Sequence, residues 1–327
     1  MKLKRLLSLI LAATLAVSTL FTLASCSGGA KKYTVGVVQL IQHPALDSAT
    51  QGFKDALIEE LGADNVSFIE HNGQGKPELC VSSVTDLTTK QVDLILANAT
   101  AALQAAANGT TTIPVLGTSI TDYKSALELD DYTGTIGGNV SGTTDLAPLD
   151  QQAAMIKDLY PEANQVGLLY CSAEPNSKYQ VDVIKAELEK LGMTTAEFSF
   201  ADLGTLSTVA QAAAASCDVI YVPTDNVAAN GAGVIKNAVG DTPIIAGEEN
   251  ICSGCGVATL SISYYDLGVA TGKMAAKILK GEANVSEMAV QYAATFTKKY
   301  NAERCAELGI DVAALEAKGY VAIEAAK

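Results

Sequence analysis

Histidine and cysteine, the side chains that most often carry acid–base, redox or metal chemistry, are sparse and scattered in this chain. His43 and His71 are its two histidines, which leaves little for proton transfer near neutral pH. Cys252 and Cys255 have the spacing of redox or metal-binding pairs, but no second such pair accompanies them. The chain also lacks a Gly-x-Ser-x-Gly elbow, a phosphate loop ending in Gly-Lys-Ser/Thr and a His-Glu-x-x-His motif. We therefore expect no catalysis, no metal and no cofactor.

Cys26 ends a segment with the features of an export signal. Two lysines and an arginine within the first five residues precede an apolar run from Leu6 to Leu23, and the small residues Ala24 and Ser25 stand directly before the cysteine. This pattern is typical of a signal peptide cleaved before a cysteine whose thiol takes a diacylglyceryl group. We predict a signal peptide over 1–25, a lipidated N-terminus and linker over 26–32, and attachment to the extracytoplasmic face of the cell membrane. The alternative is a transmembrane helix followed by an incidental cysteine.

The charge of the chain excludes one class of partner. Its formal net charge is −14, and removal of the three basic residues of segment 1–25 leaves −17. Such a surface repels nucleic acid and anionic lipid head groups, so we expect no nucleic-acid partner and assign membrane attachment to the lipid. We expect a monomer, and we interpret the cysteines that follow Cys26 as small buried hydrophobic residues.

Short apolar runs rich in β-branched residues alternate with amphipathic helical patterns from Tyr33 onward. Residues 33–39 predict a strand and 48–61 a helix, and this βα unit recurs through residue 117 and again over 148–246. The glycine-rich stretch 134–142 lacks the spacing of a dinucleotide turn and is interpreted as a connection. The pattern predicts an α/β protein with two Rossmann-like lobes, each with a parallel sheet. The predicted lobes are 33–140 with 262–288, and 141–261 with 289–327.

Several segments, in this order, resemble a known family. They are Val35–Asp47 with Gln51-Gly52-Phe53, Ser177–Gln180, Val222–Asn226, and Leu260–Gly268 leading into Gly272–Gly281. They resemble the substrate-binding proteins of ABC transporters associated with tryptophan and tyrosine uptake. The resemblance implies the periplasmic-binding-protein type I fold, permease subunits as partners, and an aromatic amino acid (tyrosine, tryptophan or phenylalanine) as ligand. A branched-chain amino acid, another small solute or an adhesin role are the alternatives. The cysteines at 252 and 255 depart from the loop expected in the family.

For an amino acid ligand, candidate contacts are the polar and aromatic residues at strand ends, because ligands bind there in open α/β sheets. Asp225 is the predicted partner of the ligand's ammonium group, and Glu248 could share this role. Ser48, Thr100 and Ser177 could instead only cap helices. The predicted contacts are Gln42, His43, Ser48, Asn98, Thr100, Thr118, Ser119, Asp122 and Tyr123 in the first lobe, and Tyr170, Asn176, Ser177, Asp225, Asn226 and Glu248 in the second. Tyr123 and Tyr170 are included as flat surfaces for an aromatic side chain.

Overall fold

Strands and helices alternate along most of the chain. The computed structural model describes residues 31–324, so the predicted signal peptide and lipidation site lie outside the described residues. The strands are Tyr33–Gln39 (β1), Val66–Asn72 (β2), Leu94–Asn98 (β3), Val115–Ile120 (β4), Val140–Thr144 (β5), Gln165–Cys171 (β6), Thr194–Phe200 (β7), Val219–Val222 (β8), Ile244–Ala246 (β9), Ala258–Ser261 (β10), Gln291–Tyr292 (β11), Thr297–Tyr300 (β12) and Val321–Ala322 (β13). The helices are Pro44–Leu61 (α1), Pro77–Thr89 (α2), Thr100–Gly109 (α3), Tyr123–Ala126 (α4), Leu149–Leu159 (α5), Pro175–Lys190 (α6), Leu203–Ser216 (α7), Asn226–Asn230 (α8), Ala232–Val239 (α9), Glu249–Cys255 (α10), Tyr264–Leu279 (α11), Ala302–Glu307 (α12) and Val312–Ala317 (α13). None of these helices is both long and apolar enough to cross a bilayer.

The first lobe is built on a parallel sheet with strand order β11-β5-β4-β3-β1-β2. Successive side chains of a strand point to opposite faces, and β1 is apolar on both. Val37 packs in one core with Phe53 of α1 and Met274 of α11. Val38 packs in the other core with Leu87 of α2. Helices therefore cover both faces, which explains why β1 reads as a continuous apolar run.

The second lobe repeats this plan with strand order β13-β12-β10-β9-β8-β6-β7. Among its described strand pairs, the pair of β10 with β12 is antiparallel and the others are parallel. Leu168 of β6 packs with Ile184 of α6 on one face, and Leu169 packs with Ile235 of α9 on the other. The sequence prediction of an α/β protein with two sheets is thus confirmed.

The lobe boundaries differ from those predicted. Within residues 31–324 the chain passes between lobes over 144–149, 261–264 and 292–297, because β5 and β11 both belong to the first sheet. The prediction ended the first lobe at residue 140 and its return segment at 288. The reason lies at Gly142, where a Cβ would stand 2.1 Å from the carbonyl oxygen of Gly117. The glycine permits close approach of β5 to β4, so part of the glycine-rich stretch is a strand rather than a connection.

Two helix starts and one segment expected as a loop also differ from the sequence expectation. Helix α1 begins at Pro44 rather than Ser48, since proline fits the first helical position, where its missing N–H leaves no helical bond unmade. Thr100 is the first residue of α3, and Ala99 precedes it as the N-cap. The segment with the cysteine pair is not a loop but helix α10, capped by Glu248. All six cysteines of the described chain are buried and free.

Helices α1 and α11 cross at very short range. A Cβ at Gly268 of α11 would lie 2.0 Å from the carbonyl oxygen of Ala49, and one at Gly52 of α1 would lie 2.1 Å from that of Tyr265. Only glycine allows this approach at both positions. The contact fixes α1, whose N-terminal end faces the second lobe, against the segment that returns from that lobe.

Candidate functional site

A cavity lies between the lobes, where the carboxyl ends of the strands of the two sheets face each other. The free space between its walls is small, with room for about one water molecule, so the two lobes lie close together here. The lining residues are His43, Leu46, Ser119, Thr121 and Asp145 from the first lobe and its crossing, Asn176, Thr224, Asp225, Asn226, Ala229 and Glu248 from the second lobe, and Tyr264 at the start of α11. The lining offers several polar groups from both lobes to a solute that would bind between them.

His43 and Asn226 join the two lobes across this cavity. The Nδ2 of Asn226 donates to Glu174 Oε2 at 2.9 Å, which turns its Oδ1 toward His43 Nε2 at 3.2 Å. An oxygen acceptor at that position requires the proton on Nε2, so Nδ1 is the bare ring nitrogen. Burial lowers the pKa of His43 and keeps the imidazole neutral. The structure is therefore closed, and it holds a neutral histidine with an acceptor nitrogen that is buried and has no partner.

Asp225 and Glu248 line the cavity and also cap short helices. Asp225 accepts the backbone N–H of Ala228 at 2.8 Å, at the start of α8, and that of Cys171 at 2.7 Å. Glu248 accepts the N–H groups of Asn250 and Ile251 at the start of α10. Burial raises the pKa of both carboxyls, that of Glu248 to about 7. Both oxygens of each carboxylate thus already have backbone donors.

Glu174 lies behind the cavity and holds the loop between β8 and α8. Its oxygens accept the backbone N–H groups of Asn226 and Val227, both at 3.0 Å. Burial and the nearby Asp225 raise its pKa to about 8, and the amide donors act against this rise. The carboxylate positions Asn226, and through it the contact with His43.

Asp145 is the cavity carboxylate that the sequence reasoning missed. It follows β5 at the first crossing and is 4% exposed. Its Oδ2 accepts from the hydroxyl of Tyr264 at 3.0 Å, whereas its Oδ1 is buried without a partner. Burial raises its pKa to about 6. Asp145 was missed because the strand before it, β5, begins in the glycine-rich stretch that the sequence analysis interpreted as a connection.

Ser119 enters the cavity through an irregularity of strand β4. The pairing of β4 with β5 shifts register between Gly117 and Ile120, and Ser119 has φ +55°. Such a bulge redirects a side chain, and a positive φ outside glycine is a strained conformation found often at functional sites. The Ser119 hydroxyl is buried and has no partner.

Of the residues predicted from sequence, those that line the cavity are His43, Ser119, Asn176, Asp225, Asn226 and Glu248. Asn98, Thr100, Thr118 and Ser177 are buried outside its lining. Asn98, for example, donates to the carbonyl of Leu46 at 2.8 Å and so supports α1 from below. Gln42 lies at a separate surface groove, and Ser48 lies at a groove that shares Glu248 and Tyr264 with the cavity.

The predicted aromatic surfaces are not at the cavity. Tyr123 is 1% exposed in the core of the first lobe, and its hydroxyl donates to the carbonyl of Thr143. Asp122 caps the same short helix, α4. The hydroxyl of Tyr170 donates to Glu197 on the neighbouring strand β7. Both tyrosines thus pack within their own lobe rather than at the cavity. Among the residues that line the cavity, Tyr264 is the one that offers a phenol ring.

Comparison with known proteins identifies the family. A model of the family described as ABC transporter substrate binding protein matches residues 34–316. The chain belongs to this family. Its members are solute-binding proteins rather than enzymes, as the lack of catalytic motifs predicted, and they work outside the cytoplasm with membrane transporters. The type I fold of periplasmic binding proteins is likewise confirmed by structural neighbours.

Three relatives are informative about this substrate-binding protein. The tyrosine-binding protein of Clostridioides difficile strain R20291 is 33% identical over 297 residues, or 86% of each chain. A domain from Streptococcus pneumonia, solved in complex with L-Trp, is 33% identical and aligns with a TM-score of 0.84 over 89% of this chain and 100% of its own. A ligand-free, open structure of an adhesive substrate-binding protein from Clostridium difficile is 30% identical and gives 0.70 over 90% and 100%. The closed lobes described above match the ligand-bound relative better than the open one.

Proposed function

We propose that this substrate-binding protein captures an aromatic amino acid, tyrosine or tryptophan, between its lobes and delivers it to an ABC importer. The observation that carries the proposal is the closed cavity, in which three buried polar atoms have no partner in the protein. These atoms are His43 Nδ1, Ser119 Oγ and Asp145 Oδ1. An unpaired buried polar group is costly, so such atoms favour a ligand that completes their hydrogen bonds. The two relatives associated with L-Trp and tyrosine support the choice of ligand.

The remaining lining suits the other parts of an amino acid. Leu46, Ala229 and the ring of Tyr264 offer apolar surface to a side chain. The hydroxyl of Thr224, which donates to the Gly247 carbonyl at 3.5 Å, and that of Thr121 beside Asp145 would donate to a carboxylate after turning from these partners. We retain Asp225, Asn176 and Glu248 as supports of the cavity wall. The contacts predicted for Gln42, Ser48, Asn98, Thr100, Thr118, Asp122, Tyr123, Tyr170 and Ser177 would act at most through the elements that they hold.

The amino-acid proposal is tested by melting the purified protein with a panel of amino acids. A ligand at a hundred times its Kd should raise the free energy of unfolding by about 2.7 kcal/mol. We expect tyrosine or tryptophan to raise the melting temperature most, phenylalanine less, and leucine or isoleucine least. A panel in which branched-chain amino acids give the largest shift, or in which no amino acid gives one, would refute the proposal.

A second role in adhesion is favoured by one observation, the adhesive property of the Clostridium difficile relative. Adhesion needs an exposed protein surface rather than the cavity. Binding of the purified protein to host cells in the presence and absence of saturating amino acid separates the two roles, because ligand capture alone would leave the cells unlabelled.

We further propose that a lipid on Cys26 anchors the protein, as a monomer, beside its permease. The basic start and the apolar run before Ala24-Ser25-Cys26 support this. The variant Cys26→Ser should lose its membrane fraction, whereas Cys217→Ser, which changes a cysteine buried in the second lobe, should keep it. Retention of Cys26→Ser on the membrane after export would contradict the anchor.

A further inference from the structure

Four carboxyl groups lie buried at or just behind the cavity, and no lysine or arginine is among the described residues that line it. The four are Asp145, Glu174, Asp225 and Glu248, and each is below 9% exposed. Buried carboxylates need either a cation or a set of hydrogen-bond donors. The cavity therefore gathers four acidic groups, whose pKa values burial raises, and its lining offers them no basic side chain.

In three of the four carboxyl groups, both oxygens accept hydrogen bonds from donors of the protein itself. Asp225 and Glu248 each accept two backbone N–H groups, with a donor on each oxygen. Glu174 accepts two backbone N–H groups and the side-chain amide of Asn226. These carboxyls thus hold helix starts and the loop before α8, as is usual for acidic residues at helix N-termini.

Asp145 differs from the other three because only one of its oxygens accepts a donor at hydrogen-bond distance, although the nearby hydroxyl of Thr121 also lowers its pKa. The hydroxyl of Tyr264 donates to Oδ2 and leaves Oδ1 bare. The backbone N–H of Asp145 donates to the carbonyl of Ile120 at 3.2 Å, so the residue is fixed to the end of β4. Ser119, the residue before Ile120, brings its own bare hydroxyl to the same cavity.

We propose that Asp145 binds the ammonium group of the ligand through Oδ1, with Ser119 Oγ and His43 Nδ1 as the remaining acceptors. An ammonium has three N–H donors, and the cavity has three acceptor atoms without a protein partner. His43 qualifies because its Nε2 proton is directed at Asn226, which leaves Nδ1 free to accept. This assignment moves the ammonium contact from Asp225, predicted from sequence, to Asp145. It rests on the proposed function, since it requires a ligand with a protonated amine.

The test compares L-tyrosine with 3-(4-hydroxyphenyl)propionate, which lacks only the amino group. Both are titrated by calorimetry into the unmodified protein and into Asp145→Asn, Ser119→Ala, Asp225→Asn and the remote control Asp218→Asn. The unmodified protein and the control should prefer L-tyrosine by about 30-fold or more, as expected for a buried charge pair. Asp145→Asn should reduce this preference to within a few-fold, and Ser119→Ala should reduce it by a smaller factor. Because the preference is a ratio within one variant, a general loss of stability does not imitate the effect.

Two outcomes overturn the assignment and a third concerns the proposed function. If Asp145→Asn keeps the full preference for L-tyrosine, Asp145 does not bind the ammonium. If Asp225→Asn alone abolishes the preference, the ammonium lies at Asp225. If the unmodified protein binds neither L-tyrosine nor L-tryptophan, the proposed function is refuted, and the Asp145 assignment with it.

Discussion

Affinity for the ligand should fall in mild acid because of Asp145. Burial raises the pKa of this carboxyl to about 6. An ammonium bound to Oδ1 stabilises the charged form and lowers that pKa, so the ligand binds the ionised form best. As the pH falls through 6, a growing share of the free protein holds a proton on Asp145 that binding must displace. The loss of affinity therefore appears on the acid side, and full affinity is retained above pH 7.

The size of this effect follows from the same pKa. At pH 5 about one tenth of the Asp145 carboxyls are ionised, whereas at pH 7 nearly all are, so Kd should rise about tenfold between the two. The change corresponds to about 1.4 kcal/mol. The ammonium of the ligand remains protonated at both values. Calorimetric titrations of L-tyrosine at pH 5, 6, 7 and 8 measure the Kd, and the proton release is read from buffers of different ionisation enthalpy.

Other titratable groups around Asp145 define the control. Tyr264 and Tyr123 face it from α11 and α4, and burial raises the pKa of both far above this range. Across the cavity, the pKa of Glu248 is raised to about 7, that of Glu174 to about 8 and that of Asp225 is also raised, whereas His43 is neutral. In Asp145→Asn the dependence between pH 5 and 7 should flatten. If that variant loses affinity tenfold like the unmodified protein, Glu248 or another group is responsible, and Asp145 is not the group whose protonation weakens binding.

Three further predictions concern stability and reactivity. Gly268→Ala should lower the free energy of unfolding by about 1–3 kcal/mol in denaturant titrations, because its Cβ would meet the Ala49 carbonyl at 2.0 Å, whereas Gly233→Ala, which has open space in α9, should be neutral or stabilising. Equal effects of the two would contradict the close crossing of α1 and α11. Tyr221→Phe should cost about 1–3 kcal/mol, since the Tyr221 hydroxyl donates to buried Gln152 Oε1 at 2.6 Å, and Tyr320→Phe, which removes a buried hydroxyl without a partner, should not. The six cysteines after Cys26 should react with a thiol reagent only after denaturation, because burial raises the pKa of Cys80 to about 11 and those of Cys171 and Cys255 to about 12; rapid labelling of the native protein would show that a described cysteine is accessible.

The fold was predictable because its elements carry strong local signals. Residues such as Val37 and Val38 are apolar on both faces of β1, and this pattern recurs in each βα unit. Helix starts were less well predicted, since Pro44 begins α1 four residues before the position expected from Ser48. The strand at Val140–Thr144 was missed because it begins within a glycine-rich stretch that resembles a linker. Gly142 is instead required by the close approach of β5 to β4, a tertiary constraint that a local pattern does not reveal.

The site was predictable where a polar residue directly follows a recognisable strand. Asp225 and Glu248 meet this condition, and both line the cavity. Asp145 follows the strand that was missed, so it was missed as well. Tyr123 and Tyr170 show the opposite error, because position near a strand end does not decide whether a ring faces the cleft or the core. Only the packing of the lobes distinguishes these cases.

Capture of an aromatic amino acid between the lobes is tested most directly by a crystal structure of the protein grown with saturating L-tyrosine or L-tryptophan. We predict one amino acid enclosed between the lobes, with its ammonium within hydrogen-bond distance of Asp145 Oδ1 and its ring against Tyr264. The lobes should enclose the ligand at a wider separation than in this structure, because the present free space holds about one water molecule. An empty cavity at saturating ligand, or an amino acid bound only outside the space between the lobes, would contradict the account.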